Sequence, residues 1–232
     1  MKKILLITLF ISSFSYSQTL KGIVSFNAKK SVSDETELSE KAKKPFIYSY
    51  IYSNQVSLQE LISEEKTSVD TTIVEHSEVK GLTQETVQVI NRPSKTSYYK
   101  NTETDVYRLM FSMNAKNVSI KDAIPVYDWN LQNETETIIG YSCKKATTER
   151  ILFGRKQYIT AWYTEDIPIN SGPMDFTGLP GLILQIEIGD MSVTRFEKLK
   201  FIKDLTSDIE EPKNESKILS INEYQLNAMR GN

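Results

Sequence analysis

The sequence feature that most constrains the fold is a series of short segments in which successive residues alternate in character. The clearest is FIYSYIYS (46–53), where Phe46, Tyr48, Tyr50 and Tyr52 alternate with isoleucine and serine. This period of two is typical of a strand, and β-branched and aromatic residues suit a pleated surface. TVQVIN, TSYYKN, VYRLMFSM and KNVSIKD are similar segments separated by polar turns. We therefore predict a mainly β fold, with a single antiparallel, curved sheet or partial barrel and few short helices.

Other segments are less uniform. TLKGIVSFN places Leu20, Val24 and Phe26 at strand spacing, which predicts a first strand close to residue 19. SLQELISEEK (57–66) is compatible with a short helix or with a strand, and its periodicity does not decide between them. Beyond residue 212 the spacing of Ile218, Ile221 and Leu226 is compatible with a helix.

The first residues resemble an export signal. MKKILLITLFISSFSYSQ has two lysines, a short apolar stretch and a small-x-small site before Gln18, which predicts a signal peptide over residues 1–17. The remainder, residues 18–232, is predicted to form a single β-rich domain without a transmembrane segment. With no cysteine near the cleavage site, we expect a protein of the periplasm or the outer-membrane surface that is not a lipoprotein.

Charge and cysteine content narrow the possible partners. Without Lys2 and Lys3 the chain has 26 basic and 30 acidic residues, a net charge of −4, which argues against a nucleic-acid partner. Cys143 is the only cysteine, so no internal disulfide can form, and we expect a buried thiol.

A glycine-proline bend precedes the most apolar segment. In GLPGLILQIEIGD, Pro180 suits the second position of a turn and Gly181 the third, where φ is positive. The bend lacks the lysine and the helix of a phosphate loop, and an acidic chain does not suit an RNA clamp. We therefore predict a structural corner at Gly178, Leu179, Pro180, Gly181, Leu182 and Ile183. After it we expect a strand that directs Leu182, Leu184, Ile186 and Ile188 to the core and Ile183, Gln185 and Glu187 to a face that tolerates water.

The sequence contains no recognisable catalytic or metal-binding set. His76 is the only histidine and lies in no nucleophile motif, and one histidine with one cysteine is too few for a zinc site. We predict no catalytic residues, no metal and no cofactor. The carboxylates Glu149, Glu165 and Asp166 leave a carboxylate-dependent hydrolase open, because their separation cannot be read from the sequence.

A pair of aromatic residues forms the candidate binding surface. In YITAWYTEDIP, Trp162 and Tyr163 point to opposite faces of the predicted strand, so one is expected in the core and the other can line a groove. Pro168 ends the strand and leaves its edge accessible. The partner is unknown; an apolar or peptide ligand, or an outer-membrane protein, would suit such a surface.

Several motifs together resemble a known family. GLPGLIL (178–184), GYSCKKAT (140–147), AWYTEDIPI (161–169), GP (172–173) and DWNL (128–131) occur in the order and spacing of the GLPGLI family, exported proteins of Bacteroidetes bacteria. The resemblance implies a periplasmic or outer-membrane-associated location, and it implies no reaction. We therefore expect a non-catalytic binding or accessory protein, with a carboxylate-dependent hydrolase or a purely structural envelope protein as alternatives.

Overall fold

The computed structural model describes residues 19–30, 38, 40, 42–63, 68–75, 83–90, 92–113, 116–202, 208–213 and 216–230. The predicted signal peptide and His76 lie outside these residues. The described part contains fourteen strands and one helix. The strands are β1 Thr19–Ala28, β2 Phe46–Ser53, β3 Val56–Leu61, β4 Ser68–Glu75, β5 Thr83–Ile90, β6 Lys95–Asn101, β7 Val106–Met113, β8 Lys116–Asp122, β9 Asn130–Ile138, β10 Tyr141–Leu152, β11 Arg155–Thr164, β12 Leu182–Ile188, β13 Ser192–Ile202 and β14 Ile218–Leu219, and the helix is α1 Ile221–Met229.

Twelve strands form one sheet in the order β14-β8-β7-β6-β3-β2-β1-β13-β12-β11-β10-β9, and β4 pairs with β5 in a separate two-stranded sheet. The mainly β prediction is confirmed. The prediction of a wholly antiparallel sheet was wrong in one place, because β14 runs parallel to β8. A parallel pair requires a long connection, and about a hundred residues separate these two strands. No helix in the described part of the chain is long and apolar enough to cross a membrane.

The segments with clear alternation all form strands. FIYSYIYS is β2, and Tyr48 and Tyr50 are buried on one of its faces. The segment that periodicity left open is strand β3 over Val56–Leu61, where it pairs with both β2 and β6. Its position between two other strands satisfies its backbone on both edges, which a local sequence pattern cannot reveal.

Strand β12 corrects one detail of the prediction. Ile183 pairs with Tyr163 and Gln185 pairs with Trp162, so Leu184 is an extra residue in the ladder and forms a β-bulge. A bulge changes the phase of the alternation. Leu182 and Leu184 pack in one core cluster and Ile183, Ile186 and Ile188 in a second. The prediction that Ile183 faces water was therefore wrong: it is fully buried.

Helix α1 bridges two distant parts of the sheet. Ser220 caps it in a reciprocal capping box with Glu223. At its start the Ile221 N–H donates to the Asp122 carboxylate at the end of β8 (3.0 Å). The Tyr224 ring packs edge-on against Phe111 of β7 and Phe153 of the β10–β11 turn. The helical spacing predicted in the tail is confirmed for Ile221 and Leu226, whereas Ile218 lies in strand β14.

Candidate functional site

The link between β11 and β12, residues 165–181, lies against the sheet and is named here the inner segment. Its prolines and glycines prevent it from continuing either strand. Strands from the other half of the sheet hold it in place. The Met174 N–H donates to Gln59 Oε1 of β3 (2.8 Å), and the Tyr50 hydroxyl of β2 lies 2.9 Å from Ser171 Oγ. The face that carries Gln59, Tyr98 and Lys100 is the inner face of the sheet.

The glycine-proline corner closes the inner segment. Gly181 has φ +155°, so the predicted positive φ is confirmed. The turn differs from the predicted one, because the Gly181 N–H donates to Leu179 O only two residues earlier (2.8 Å). A Cβ atom at Gly181 would lie 2.1 Å from the Thr164 carbonyl oxygen, so the close approach of two backbones also requires glycine there.

Lys100 of β6 is the most deeply buried charged residue of the described chain, with 1% of its surface exposed. Its ammonium donates to two carbonyl oxygens of the inner segment, Gly172 O (2.6 Å) and Phe176 O (3.0 Å). Burial lowers the pKa of Lys100 to about 7, although the nearby Asp175 carboxylate acts in the opposite direction. Lys100 therefore fixes the stretch of backbone that carries Asp175.

Asp175 is the centre of a polar group between the inner segment and β10. Its Oδ2 atom accepts hydrogen bonds from the Tyr127 hydroxyl (2.5 Å) and from Arg150 Nη1 (3.2 Å). The same Arg150 nitrogen donates to the Tyr127 oxygen (3.2 Å), which closes a triangle. Burial, and then the Asp175 charge, raise the pKa of Tyr127. Among the described residues Oδ2 receives all of these bonds, so Oδ1 is available to another donor.

Aromatic rings surround this polar group. Tyr127 stacks on Phe176 with 4.9 Å between ring centroids and lies 5.5 Å from Trp129. Trp129 is held by a hydrogen bond from Nε1 to the carbonyl oxygen of Thr177 (2.8 Å), and the Arg150 guanidinium lies over the Phe176 ring at 5.3 Å. Tyr127, Trp129, Arg150, Asp175 and Phe176 are named here the Asp175 cluster.

The exposure of the cluster allows it to meet a ligand. The side chains of Asp175 and Arg150 are 13% and 17% exposed, and Tyr127 and Trp129 are half-buried. Flat rings beside a carboxylate and a guanidinium combine apolar contact area with hydrogen-bonding groups of fixed geometry. No group of three or more metal-binding side chains occurs among the described residues.

The two residues of the predicted binding surface, Trp162 and Tyr163, lie on opposite faces of β11, as the alternation indicated. Tyr163 is the core residue of the pair, with 1% of its surface exposed. Trp162 is half-buried, and its Nε1 donates to Glu187 Oε1 (3.2 Å). A binding role for this pair stays a prediction, and it now depends on Trp162.

The carboxylates considered for a two-acid hydrolase are far apart. Glu149 lies opposite Tyr158 on β11, and Glu165 follows seven residues later, which is about 23 Å along a strand at ~3.3 Å per residue. Both are bound by lysines, Glu149 by Lys156 and Glu165 by Lys144.

Inspection of the sequence missed the Asp175 cluster, because no spacing rule links strand β10 to the inner segment. Cys143 is free and buried, as predicted, and burial raises the pKa of its thiol to about 11.

The fold and the cluster define the class: a domain built on one open, mostly antiparallel sheet, with a polar and aromatic site over its inner segment. The family model of the N-glycanase peptide N-terminal domain (PNGase F-II N-terminal domain) matches residues 51–225, and the chain belongs to this family. The match includes the whole of the Asp175 cluster.

This finding overturns two predictions. The resemblance to the GLPGLI family was wrong as an assignment, because the family that matches is that of the N-glycanase domain. The expectation of a non-catalytic binding or accessory protein was wrong for the same reason. A bend motif such as GLPG describes a local backbone shape, whereas the match over residues 51–225 extends from the end of β2 to helix α1.

Two solved structures are similar in fold. One is PNGF-II in a C2 crystal form, with 18% identity and a TM-score of 0.48, covering 82% of this chain and 28% of that one. The other is PNGF-II in a P21 form, with 17% identity and a TM-score of 0.48, covering 83% of this chain and 30% of that one. The chain thus spans less than a third of these proteins. No curated protein matches it.

Proposed function

We propose that this protein takes part in the hydrolytic removal of N-linked glycans and that the glycan meets it at the Asp175 cluster. The observation that supports the proposal is the family match over residues 51–225, since the family is named for an N-glycanase and the cluster lies within the match. The chemistry of the cluster agrees with a sugar ligand. A sugar ring presents apolar C–H faces, which suit aromatic rings, and hydroxyl groups, which suit a carboxylate and a guanidinium.

Within this proposal each member of the cluster has a distinct role. Tyr127 and Arg150 hold Oδ2 of Asp175, so the carboxylate has a fixed orientation. Oδ1 then accepts a hydrogen bond from the substrate or from the water that attacks the link between glycan and protein. Trp129 supplies a half-exposed ring that is fixed by its bond to Thr177 O.

We infer that the sheet is curved around this site. Strands β6 and β10 have six strands between them in the sheet order, which would separate them by about 34 Å in a flat sheet at ~4.8 Å per strand. Lys100 of β6 nevertheless binds the carbonyl of Phe176, and Arg150 of β10 binds the neighbouring Asp175.

Export to the periplasm or the outer-membrane surface, without a lipid anchor, stays part of the proposal, as does a single domain over residues 18–232.

The test is an assay of glycan release from a synthetic peptide that carries an N-linked glycan, followed by mass spectrometry of the peptide. Asp175→Asn preserves shape and removes the charge, and we expect at least about a tenfold loss of rate. Glu211→Gln makes the same chemical change in a different charged group and serves as the matched control, with a change below about twofold. Melting curves establish that each variant is folded, and Tyr127→Phe offers a milder second variant.

Two results would contradict the proposal. In the first, the unmodified protein neither releases the glycan nor binds the glycopeptide. In the second, folded Asp175→Asn and Tyr127→Phe both keep the full rate.

A further inference from the structure

A second recess, named here the aromatic cleft, lies on the inner face beside the Asp175 cluster. Its volume is about 300 Å³, and its walls are aromatic and aliphatic. The residues that matter here are Phe46, Tyr48, Thr96, Tyr98, Leu109 and Met174. The rings are fixed by one another: Tyr48 and Tyr98 pack edge-to-face at 6.2 Å, and Phe26 lies 5.8 Å from Phe46.

The aromatic cleft lies next to the Asp175 cluster. Met174 forms one side of the cleft and precedes Asp175 in the chain, and Gln59 holds its backbone at 2.8 Å. Tyr98 lies in the cleft wall close enough to sense the cluster electrostatically. Burial, with the nearby Tyr48 and Asp175, raises the pKa of Tyr98 well above its usual value. A ligand that meets Asp175 can therefore extend into the cleft.

The walls select the chemistry of the occupant. Besides tyrosine hydroxyls, their polar side-chain group is that of Thr96, which is 7% exposed and whose Oγ1 has no hydrogen-bond partner among the described residues. A sugar ring carries several hydroxyl groups, and burying them against these walls would leave most of them unpaired. An aromatic or branched aliphatic side chain has no such groups and gains from apolar contact. A volume of about 300 Å³ lies at the lower limit for ligand pockets, so the cleft suits one side chain.

We propose that the aromatic cleft binds an aromatic or large aliphatic side chain of the polypeptide that carries the N-linked glycan. The inference rests on the proposed function, because it makes the glycan and its carrier parts of one ligand. The cluster meets the sugar and the cleft meets a side chain close to the glycosylated asparagine. The consequence is a preference for glycosylation sites that have a large apolar neighbour.

The experiment measures affinity, so that its result is separate from glycan release. Isothermal titration calorimetry compares two short synthetic peptides that carry one N-acetylglucosamine on asparagine and differ only in a neighbouring phenylalanine or serine. The unglycosylated phenylalanine peptide is the third ligand. We expect the phenylalanine glycopeptide to bind at least about tenfold more tightly than the serine one, as expected for burial of one large apolar side chain.

Variants then locate the preference. Leu109→Phe fills the cleft, and Phe46→Ala removes part of its wall; either should reduce the ratio between the two glycopeptides to below about threefold. Thr96→Val removes only the unpaired hydroxyl and should keep or increase the ratio. Thermal melts identify the variants that fold. Because two different cleft variants are made, the test can still be carried out if one of them does not fold.

Three results overturn the inference. The two glycopeptides bind equally to the unmodified protein, or the preference survives in both folded cleft variants, or no peptide binds at all. The first two leave the proposed function intact, since glycan release is assayed separately. A preference that disappears with Leu109→Phe or Phe46→Ala and persists in Thr96→Val supports the inference.

Discussion

Two charged groups fasten irregular segments to opposite faces of the same sheet. On the inner face, Lys100 and the Asp175 cluster hold the inner segment. On the other face, Arg108 of β7 donates to Glu211 Oε1 (2.5 Å), and Lys121 of β8 donates to the same atom (2.8 Å), which holds residues 208–213. The faces are opposite because Arg108 pairs with Tyr99, the neighbour of Lys100 along β6.

Both carboxylates accept their hydrogen bonds on a single oxygen, and the two groups differ in the exposure of the carboxylate and in its surroundings. Glu211 is 32% exposed and links the buried Arg108, whose side chain is 5% exposed, to Lys121, which is 40% exposed at the surface. Asp175 is 13% exposed and stands among aromatic rings. The same residue types thus give a fastening on one face and a site on the other, because enclosure strengthens electrostatic interactions and the aromatic rings create a surface for a ligand.

The largest expected effect is the loss of stability when the Asp175 carboxylate is removed. Asp175→Ala should lower the free energy of unfolding by about 3–5 kcal/mol, because it leaves the enclosed Arg150 guanidinium without its carboxylate. Urea denaturation of the purified protein measures the change. A loss below about 1 kcal/mol would place Asp175 in the same class as a surface ion pair.

The second effect tests the corner that closes the inner segment. Gly181→Ala should cost about 3 kcal/mol, because its Cβ would meet the Thr164 carbonyl oxygen at 2.1 Å. Gly140→Ala is the matched control: Gly140 also has a positive φ, and no atom lies within 4 Å of the added Cβ. Chemical denaturation of both variants gives the comparison, and equal losses would show that backbone strain alone decides.

The third effect depends on pH. The pKa of Lys100 is lowered to about 7 in the folded protein, so between pH 7 and its usual value near 10.5 the unfolded chain binds one proton more. Stability should therefore rise with pH in this window, by up to roughly 1.4 kcal/mol per pH unit, and Lys100→Met should remove this contribution. Denaturation at pH 6, 7, 8 and 9 measures the difference between the two proteins. Identical pH dependence would mean that Lys100 stays charged throughout.

The smallest effect is expected on the other face. Glu211→Gln should lower stability by about 1 kcal/mol, because the amide oxygen can still accept a hydrogen bond from the buried Arg108. Added salt should reduce the difference from the unmodified protein, because the partly exposed Lys121–Glu211 pair is screened. Thermal melts at low and high ionic strength provide the measurement. A loss as large as that of Asp175→Ala would remove the distinction between the two groups.

The sequence was informative where structure is decided locally. Alternation identified β1, β2 and β5–β8, and the glycine-proline bend gave the positive φ of Gly181. It failed where a distant partner decides. The bulge at Leu184 arises from the pairing of β12 with β11, and the identity of β3 arises from its two neighbours.

The site was harder to predict than the fold. Lys100, Tyr127, Arg150 and Asp175 come from β6, the stretch before β9, β10 and the inner segment, and each is an ordinary residue in its local context. Trp162 and Tyr163 attracted attention because adjacent aromatics are conspicuous, whereas the Asp175 cluster exists only once the chain is folded. In the structure these charged side chains stand out because they are buried, but the sequence around each of them does not indicate that it will be buried.

Helix α1 also constrains the order in which parts of the chain fold. Nine residues are too few for a stable isolated helix, and its partners Asp122 and Phe153 lie 99 and 72 residues earlier than the α1 residues that they contact. The helix can therefore persist only after β7–β8 and β10–β11 are both in place. Amide protection in α1 should appear last during refolding, so this short helix acts as a reporter that the two parts of the sheet have assembled.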